Sequence, residues 1–451
     1  MSTQQCPETR AKPVVMIVGA GIGGLMLALL LERLGLSYRV YERAPEVKPL
    51  GSAITLDATI LPLFEQLGLL EDLQKIALPN YKVEFFSDKM KRLGDIDLTG
   101  HEKLLGYANY VVTRTALYEL LLGQVSTHNI SFGMNVVRTE EHDGRVHIYC
   151  SDNTRYEADL LVGSDGTFST IRQSLYNRLD EKGLLPKADS ENVDAGHVNV
   201  MGVTVAKDPE KYPQLKDKFS HMTSTLDPKG ERAWSTVTVN DNQICWQLMA
   251  RQCASDSKAQ LHNPEWEPES VEIVCKDFEN STCPLGGTMG ELMNDTPKLQ
   301  ISKVYLKERV FKTWYHGRTV LIGDACHTMM PGAGLGAIHA MHDAIVLANC
   351  IYEMKDSSPI SIATAFEEYY EQRYYRLESH FRRSKTWMLT GQSWVHRLRR
   401  HVLLNYTPQW IQEQRFIKST EYRPQVVWLP FIPNRGIGRV LPQEVKKTIG
   451  R

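Results

Sequence analysis

The sequence lacks a charge bias. Its 52 Lys and Arg residues stand against 53 Asp and Glu, a formal net charge of -1. With no basic domain to meet a polyanion, nucleic acid is not expected as the main ligand. It also lacks a cysteine framework. The eight cysteines (Cys6, Cys150, Cys245, Cys253, Cys275, Cys283, Cys326 and Cys350) contain no C-x-x-C and follow no regular spacing. That fits scattered buried thiols in a reducing compartment, not a disulfide frame or a zinc site. Internal repeats and low-complexity tracts are missing. Beyond one stretch near the start, so is any run of membrane-spanning length. The expectation is a soluble, cytoplasmic, globular chain. Its 451 residues, 42% hydrophobic, leave room for two or three domains.

The one long uncharged stretch is VVMIVGAGIGGLMLALLL, Val14 to Leu31. Its length would permit a membrane helix, but its internal pattern is different. Val14 to Val18 reads as a buried strand. Gly19, Gly21 and Gly24 follow as G-x-G-x-x-G, and a helix then runs to a stop at Gly35. A second strand-like run, Tyr38 to Tyr41, ends in Glu42. Strand, glycine turn, helix, strand and acid form the dinucleotide-binding fingerprint. The glycines permit the tight turn, the close approach of a pyrophosphate and the packing of helix on strand. Unpaired N–H groups at the helix start attract the phosphates. A signal peptide would need a small-residue cleavage site, and Leu-Leu-Leu-Glu-Arg is not one.

Further along, a glycine loop spans Pro49 to Ile54, and Ile60 to Ile76 has a helical pattern. Thr113 is placed to N-cap a helix carrying Arg114. His142-Asp-Gly144 signals a hairpin. From about Asn192 to Val304 the pattern is that of an antiparallel sheet, and near Thr319 the α/β pattern returns. The fold class is therefore α/β, with an α+β two-domain organisation. A Rossmann-like nucleotide domain spans 13–191 and resumes at 305–360, and a sheet domain facing the substrate is inserted at 192–304. C-terminal helices follow at 361–421, and a Pro-containing extended tail at 422–451.

Three glycine motifs now stand in order. They are Gly19-Ala-Gly-Ile-Gly-Gly24 with Glu42-Arg43, then Asp159 to Arg172 containing Ser164-Asp-Gly166, then Gly323-Asp-Ala-Cys-His-Thr-Met-Met-Pro-Gly-Ala-Gly-Leu-Gly336 followed by Asp343-Ala344. Together, from about Val14 to Arg376, they resemble the FAD-dependent monooxygenases of the para-hydroxybenzoate hydroxylase type. Within that group the chain looks most like fungal FAD-dependent monooxygenases of secondary metabolism, which hydroxylate or epoxidise small organic molecules.

The resemblance implies FAD as cofactor, NAD(P)H and O₂ as co-substrates, and a flavin C4a-hydroperoxide that passes oxygen to a small apolar or aromatic molecule. It implies that Glu42 holds the adenosine ribose and Arg114 the pyrophosphate. Asp165 and Gly166 would form a second turn nearby. Asp324 would bond the ribityl hydroxyls, and Pro331 to Gly336 would wrap the isoalloxazine ring, with Gly334 and Gly336 leaving it space. Arg43, Ala53 and Ala337 complete the implied cofactor contacts. Taken alone, each residue has a plainer reading: Asp165-Gly166 as a turn, Asp324 as a cap, Arg114 as a surface ion pair. Cys326, Ile338 and His342 depart from the residues usual at their positions. His327 lacks partners for zinc, so no metal is expected, and a structural place beside the flavin loop is. His197 and Trp246 are expected to pack in the sheet, and the sequence demands no catalytic acid or base.

Two other readings stay open: an FAD-dependent reductase without oxygen transfer, and a non-enzymatic binder on the same fold. A halogenase is disfavoured because no W-x-W-x-I-P segment occurs. Finally, Glu371 to Arg400 carries eight basic residues against two acidic, with Trp387 and Trp394. It reads either as the solvated basic face of a packing helix or as a weak peripheral membrane contact.

Overall fold

The computed structural model describes residues 12–46, 51–191, 196–228, 230–251, 268–306, 308–329, 335–388 and 394–441. Strand β1 (Val15–Val18) is buried at every position. Helix α1 (Ile22–Leu34) starts straight after the glycine turn and stops at Gly35, whose φ of 63° is left-handed and whose N–H bonds Glu32 O. Strand β2 (Tyr38–Glu42) closes the first βαβ unit, and β3 (Ala53–Leu56) follows. The helical pattern at 60–76 is realised as two helices, α2 (Leu61–Gln66) and α3 (Leu70–Ile76), separated at Gly68 (φ 73°). Next come β4 (Leu78–Ser87), β5 (Arg92–Asp97), α4 (His101–Leu105) and β6 (Asn109–Thr113). Helix α5 (Arg114–Leu122) is capped as expected, Thr113 Oγ1 accepting from Ala116 N at 3.2 Å.

Strand β7 (Ile130–Phe132) precedes the hairpin of β8 (Val136–His142) and β9 (Arg145–Cys150). Its turn has positive φ at Asp143 (54°) and Gly144 (72°), the pair a type I′ turn requires. Then follow β10 (Arg155–Ala158), β11 (Leu160–Gly163), α6 (Thr170–Glu181) and a short α7 (Lys187–Ser190). Strands β12 (His197–Val203), β13 (Ser220–Leu226), β14 (Arg232–Val239) and β15 (Gln243–Arg251) come next, followed by α8 (Pro268–Phe278), α9 (Met289–Asn294) and β16 (Ser302–Leu306). Short strands β17 (Arg309–Val310), β18 (Tyr315–His316), β19 (Thr319–Leu321) and β20 (His327–Thr328) lead to the helices α10 (Gly336–Glu353), α11 (Pro359–Met388), α12 (Trp394–Asn405) and α13 (Gln409–Thr420).

One sheet has the order β18-β19-β11-β1-β2-β7. All its pairs are parallel except β18 with β19. Val15 lies opposite both Leu160 and Tyr38, and Val162 opposite Val320. Strands from three distant parts of the chain are thus neighbours, as a discontinuous nucleotide-binding fold requires. Because helices cover a parallel sheet, its strands read as unbroken apolar runs.

The larger sheet runs β16-β12-β15-β14-β13-β4-β6-β3, with β5 attached to β4. Here the structure differs from the expected boundary at 192: β3, β4, β5 and β6 come from the first part of the chain. The joint is the parallel pair β13–β4, with Thr223 opposite Glu84; the other pairs are antiparallel. Alternation marks a strand but does not name its partner, so this joint leaves no trace in the pattern. One face of the sheet packs Val200, Trp234, Trp246 and Leu248 against Phe278 and Leu292 of α8 and α9. The other carries Val111, Val203, Val237 and Cys245, with Ala53 and Met222 packed on them.

Residues 422–441 form no long helix or strand but are docked on the body. Arg423 Nη1 donates to Leu105 O at 2.6 Å, Gln66 Oε1 accepts from Val426 N at 2.9 Å, and Asn349 Nδ2 donates to Gln425 O at 2.9 Å. Among the described residues no helix is long and apolar enough to cross a membrane.

Candidate functional site

The three glycine motifs meet at the carboxyl ends of three adjacent parallel strands, where open α/β sheets bind ligands. Gly19 follows β1, Ser164 follows β11 and Gly323 follows β19. The loops interlock through their glycines. A Cβ at Gly19 (φ 102°) would strike the Ser164 carbonyl, and one at Gly24 the Gly19 carbonyl. Ala340 of α10 fits between Gly23 and Gly323, whose Cβ positions each lie 3.1 Å from its own Cβ. Gly21 is different: a Cβ there would meet nothing within 4 Å. It opens α1, which no side chain caps. A free helix start with space before it is the geometry of an anion cradle.

Glu42 is anchored to this cradle. Its Oε2 accepts from Ala20 N at 2.7 Å and its Oε1 from Ala44 N at 2.9 Å. Each oxygen retains a lone pair for a further donor. Arg114, the first residue of α5, lies against Gly51, where a Cβ would come within 2.6 Å of its Cδ. Loss of solvation pulls the Arg114 guanidinium below its usual range, while Asp324 and Glu42 hold it up. Asp324 is exposed to water, yet surrounding protein pushes its carboxyl up, opposed by His327, Arg114 and a bond from Thr167. Asp324 and Glu42 both act on the Arg114 charge, so two carboxylates and a guanidinium from three separate elements lie near one another.

Not every expected residue joins this group. Both Asp165 oxygens are used by α6, one by Ser169 Oγ and the other by Ile171 N at 3.1 Å, so its carboxylate caps that helix. Gly166 (φ 79°) supplies the turn. Arg43 is exposed beside Glu42, and Ala53 lies half-buried opposite Thr113 at the start of β3. Gly336 and Ala337 open α10, whose start also has no side-chain cap. Pro331 and Gly334 lie outside the described residues. Trp246 is packed, its Nε1 donating to Thr296 Oγ1 at 2.8 Å. His197 is half-buried, and burial lowers its pKa.

Two arginines that hold the site together were not anticipated. Arg172 of α6 donates to Ala325 O at 2.8 Å and Thr167 O at 2.7 Å, tying the second loop to the third. Arg373 of α11 is 1% exposed. Its Nε donates to Asp343 Oδ1 at 2.7 Å, while Asp343 Oδ2 accepts from Gly323 N at 2.9 Å and bonds His327 Nε2 at 2.6 Å. Burial works to raise the Asp343 carboxyl, but His327 and Arg373 outweigh it and hold it down at about 2. A sequence signal for Arg373 did exist. Phe366, Tyr369 and Leu377 are buried at helical spacing, and Arg373 occupies an apolar slot in that row.

Cys326, His327 and Asp343 each bring a ligand atom within 4.8 Å of the others, close enough for a metal. The Arg373 guanidinium already occupies that carboxylate, and burial holds the Cys326 thiol well above its ordinary range. A cation would meet a fixed positive charge and a neutral thiol, so the donor set does not suit one.

A sequence profile described as the FAD binding domain matches residues 12–358. The FAD-dependent monooxygenase ausM of Penicillium brasilianum is 25% identical over 447 residues, which cover 95% of this chain and 90% of that protein. The FAD-dependent monooxygenase paxM of Penicillium paxilli is 27% identical over 394 residues, covering 83% and 78%. Among solved structures, Klebsiella pneumoniae HpxO complexed with FAD and uric acid has a TM-score of 0.71 at 21% identity, covering 90% of this chain and 96% of that one. FqzB has a TM-score of 0.63 at 21% identity, covering 92% and 96%.

Proposed function

The chain belongs to the FAD binding domain family, and from that membership we propose an FAD-dependent monooxygenase that uses NAD(P)H and O₂ to hydroxylate or epoxidise a small apolar or aromatic molecule. When bound, FAD supplies the redox chemistry that couples the reductant to oxygen. The residues present fit it. The space before Gly21 and the uncapped start of α1 suit a pyrophosphate, and Arg114 offsets its charge. Glu42 keeps lone pairs for ribose hydroxyls, and Asp324 offers an open carboxylate to the ribityl chain. Gly336 and Ala337 at the start of α10 bring N–H groups toward the ring.

The large sheet serves as the substrate layer in this reading. Its face away from α8 and α9 reaches Ala53, two residues from the Gly51–Arg114 contact. Register places Met201, Met222 and Met249 on that face beside Val237 and Cys245, each half-exposed. Thioethers adapt to irregular apolar ligands, and an apolar layer keeps water from the reacting centre. The observation that carries the proposal is the action of both Glu42 and Asp324 on the Arg114 charge, with Glu42 bonded to Ala20 N beside the free start of α1.

The test is the visible spectrum of the purified protein, before and after anaerobic NADPH and then air. Flavin bands that bleach and return with oxygen, followed by substrate-dependent NADPH use, support a monooxygenase. Bleaching without oxygen incorporation into any substrate screened supports the reductase alternative. A protein that neither contains nor takes up FAD overturns both.

A further inference from the structure

The basic segment near the C-terminus has a surface that the flavin chemistry does not use. From Ser379 to Gln412 the chain carries six Arg and Lys and no acidic residue. The side chains of Trp387 and Trp394 in this segment lie outside the described ones. Helix α12, further along it, is amphipathic in an unusual sense. Its inner side rests on the large sheet: Leu404 packs on Gly94, where a Cβ would come within 2.6 Å of the leucine Cβ, and Asn405 Nδ2 donates to Leu93 O at 2.8 Å. Leu403 and Arg400 are half-buried toward that side. The outer side carries Val395, Leu398 and Val402, which are 51%, 51% and 46% exposed. Spaced i, i+3 and i+7, they form one apolar stripe on the helix. Arg399 and His401 border it, both exposed, while Arg397 lies in line with Arg400 and Leu404 on the other side of the helix. Tyr406 and Trp410, 68% and 66% exposed, follow directly in the chain.

We propose that α12 docks the protein on a membrane surface bearing anionic headgroups, with Val395, Leu398 and Val402 entering the acyl boundary and Arg399 meeting the headgroups. An apolar stripe bordered by cations, next to exposed Tyr and Trp, is the composition that lies in a bilayer interface. A second copy of the chain fits less well. Three aliphatic side chains offer far less than the roughly 800 Å² per partner that a stable interface buries, and the bordering Arg399 would repel its own copy. The contact proposed is a peripheral one; among the described residues no helix is both long and apolar enough to cross a membrane. Because α12 sits on β5, an edge strand of the large sheet, docking sets that edge at the lipid surface.

The experiment is co-sedimentation of the full chain with phosphatidylcholine vesicles, with and without phosphatidylserine, at low and high salt. Wild type should bind only when phosphatidylserine is present, and salt should weaken it. The double variant Leu398→Asp with Val402→Asp, and separately Arg399→Glu, should each lose affinity by about tenfold or more. All three positions are exposed, so circular dichroism and FAD content should match wild type. The readout is protein position, not turnover, so it stands whether or not the oxygenation reading holds. Equal pelleting of wild type and both variants overturns the proposal, as does no pelleting at low salt. A dimer that Leu398→Asp with Val402→Asp turns into a monomer, without vesicle binding, assigns the face to a second copy instead.

Discussion

Arg373 and Asp343 form an ion pair sealed inside the protein, Nε to Oδ1 at 2.7 Å, between helices α10 and α11. Through Asp343 the pair also fixes Gly323 N and His327, on either side of the turn that presents Asp324. Removing one partner leaves the other charge buried without compensation. Arg373→Met should therefore lower stability by about 3–5 kcal/mol. Adding Asp343→Leu should recover part of that loss, because the two changes couple. Urea denaturation of the single and double variants measures both effects.

The same core makes the protein acid-sensitive. His342 is buried and its pKa is lowered to about 3, first by loss of solvation and then by the Arg373 charge, against a bond with Thr59 O at 3.0 Å. His339 is lowered well below 6.5 for the same leading reason. Below pH 6.5 the unfolded chain protonates these rings and the folded chain does not. Stability should then fall with pH, by up to about 1.4 kcal/mol per unit for each ring, down to about pH 3 for His342. Asp343 behaves separately: its depressed pKa contributes stability above the ordinary value of 3.8, lost as pH falls through about 2. Urea midpoints from pH 7 to pH 4 should decline, less steeply in His342→Gln.

Asp324→Ala removes the open carboxylate beside Arg114 without touching the buried layer. A lost charge-assisted hydrogen bond is worth about 1.5–3 kcal/mol, so FAD affinity should fall roughly tenfold to a hundredfold. Fluorescence titration of the apoprotein with FAD measures this. Unchanged affinity would remove Asp324 from the cofactor site.

Gly21 and Gly24 should separate cofactor binding from folding. At Gly21 φ is -67° and a Cβ would meet nothing. Gly21→Ala should leave the apoprotein within about 0.5 kcal/mol of wild type, while the added methyl intrudes on the cradle and weakens FAD. Gly24→Ala drives a methyl into the Gly19 carbonyl. It should destabilise the apoprotein itself. Thermal melts with and without FAD distinguish the two.

Much of this site was legible because its requirements are local. A tight turn needs Gly19, a close helix needs Gly24, and an acid must end β2. Thr113 and Gly35 likewise announce helix ends through chemistry within a few residues. Partners across space were not legible. Asp165-Gly166 looks the same whether it faces a ligand or caps α6, and only the fold shows the bonds to Ser169 and Ile171. The parallel joint between β4 and β13 pairs segments 140 positions apart, Asn80 with Ser220, and no periodicity encodes that choice. Arg373 was hidden for a related reason: its partner lies on another helix.

The strand order also sets a timetable for synthesis. Val15 of β1 pairs with Leu160 of β11, and Leu161 pairs with Thr319 of β19. At roughly 5–20 residues per second, β1 waits about 7–30 s for its inner neighbour. Some 8–30 s more pass before β19 arrives. Through that interval a leucine-rich helix and an unpaired parallel edge stand open on the ribosome, where slow translation or chaperone cover would decide the yield of folded protein. The fingerprint is written by residue 42, but the sheet that brings it beside the other two motifs is complete only once residue 319 has emerged.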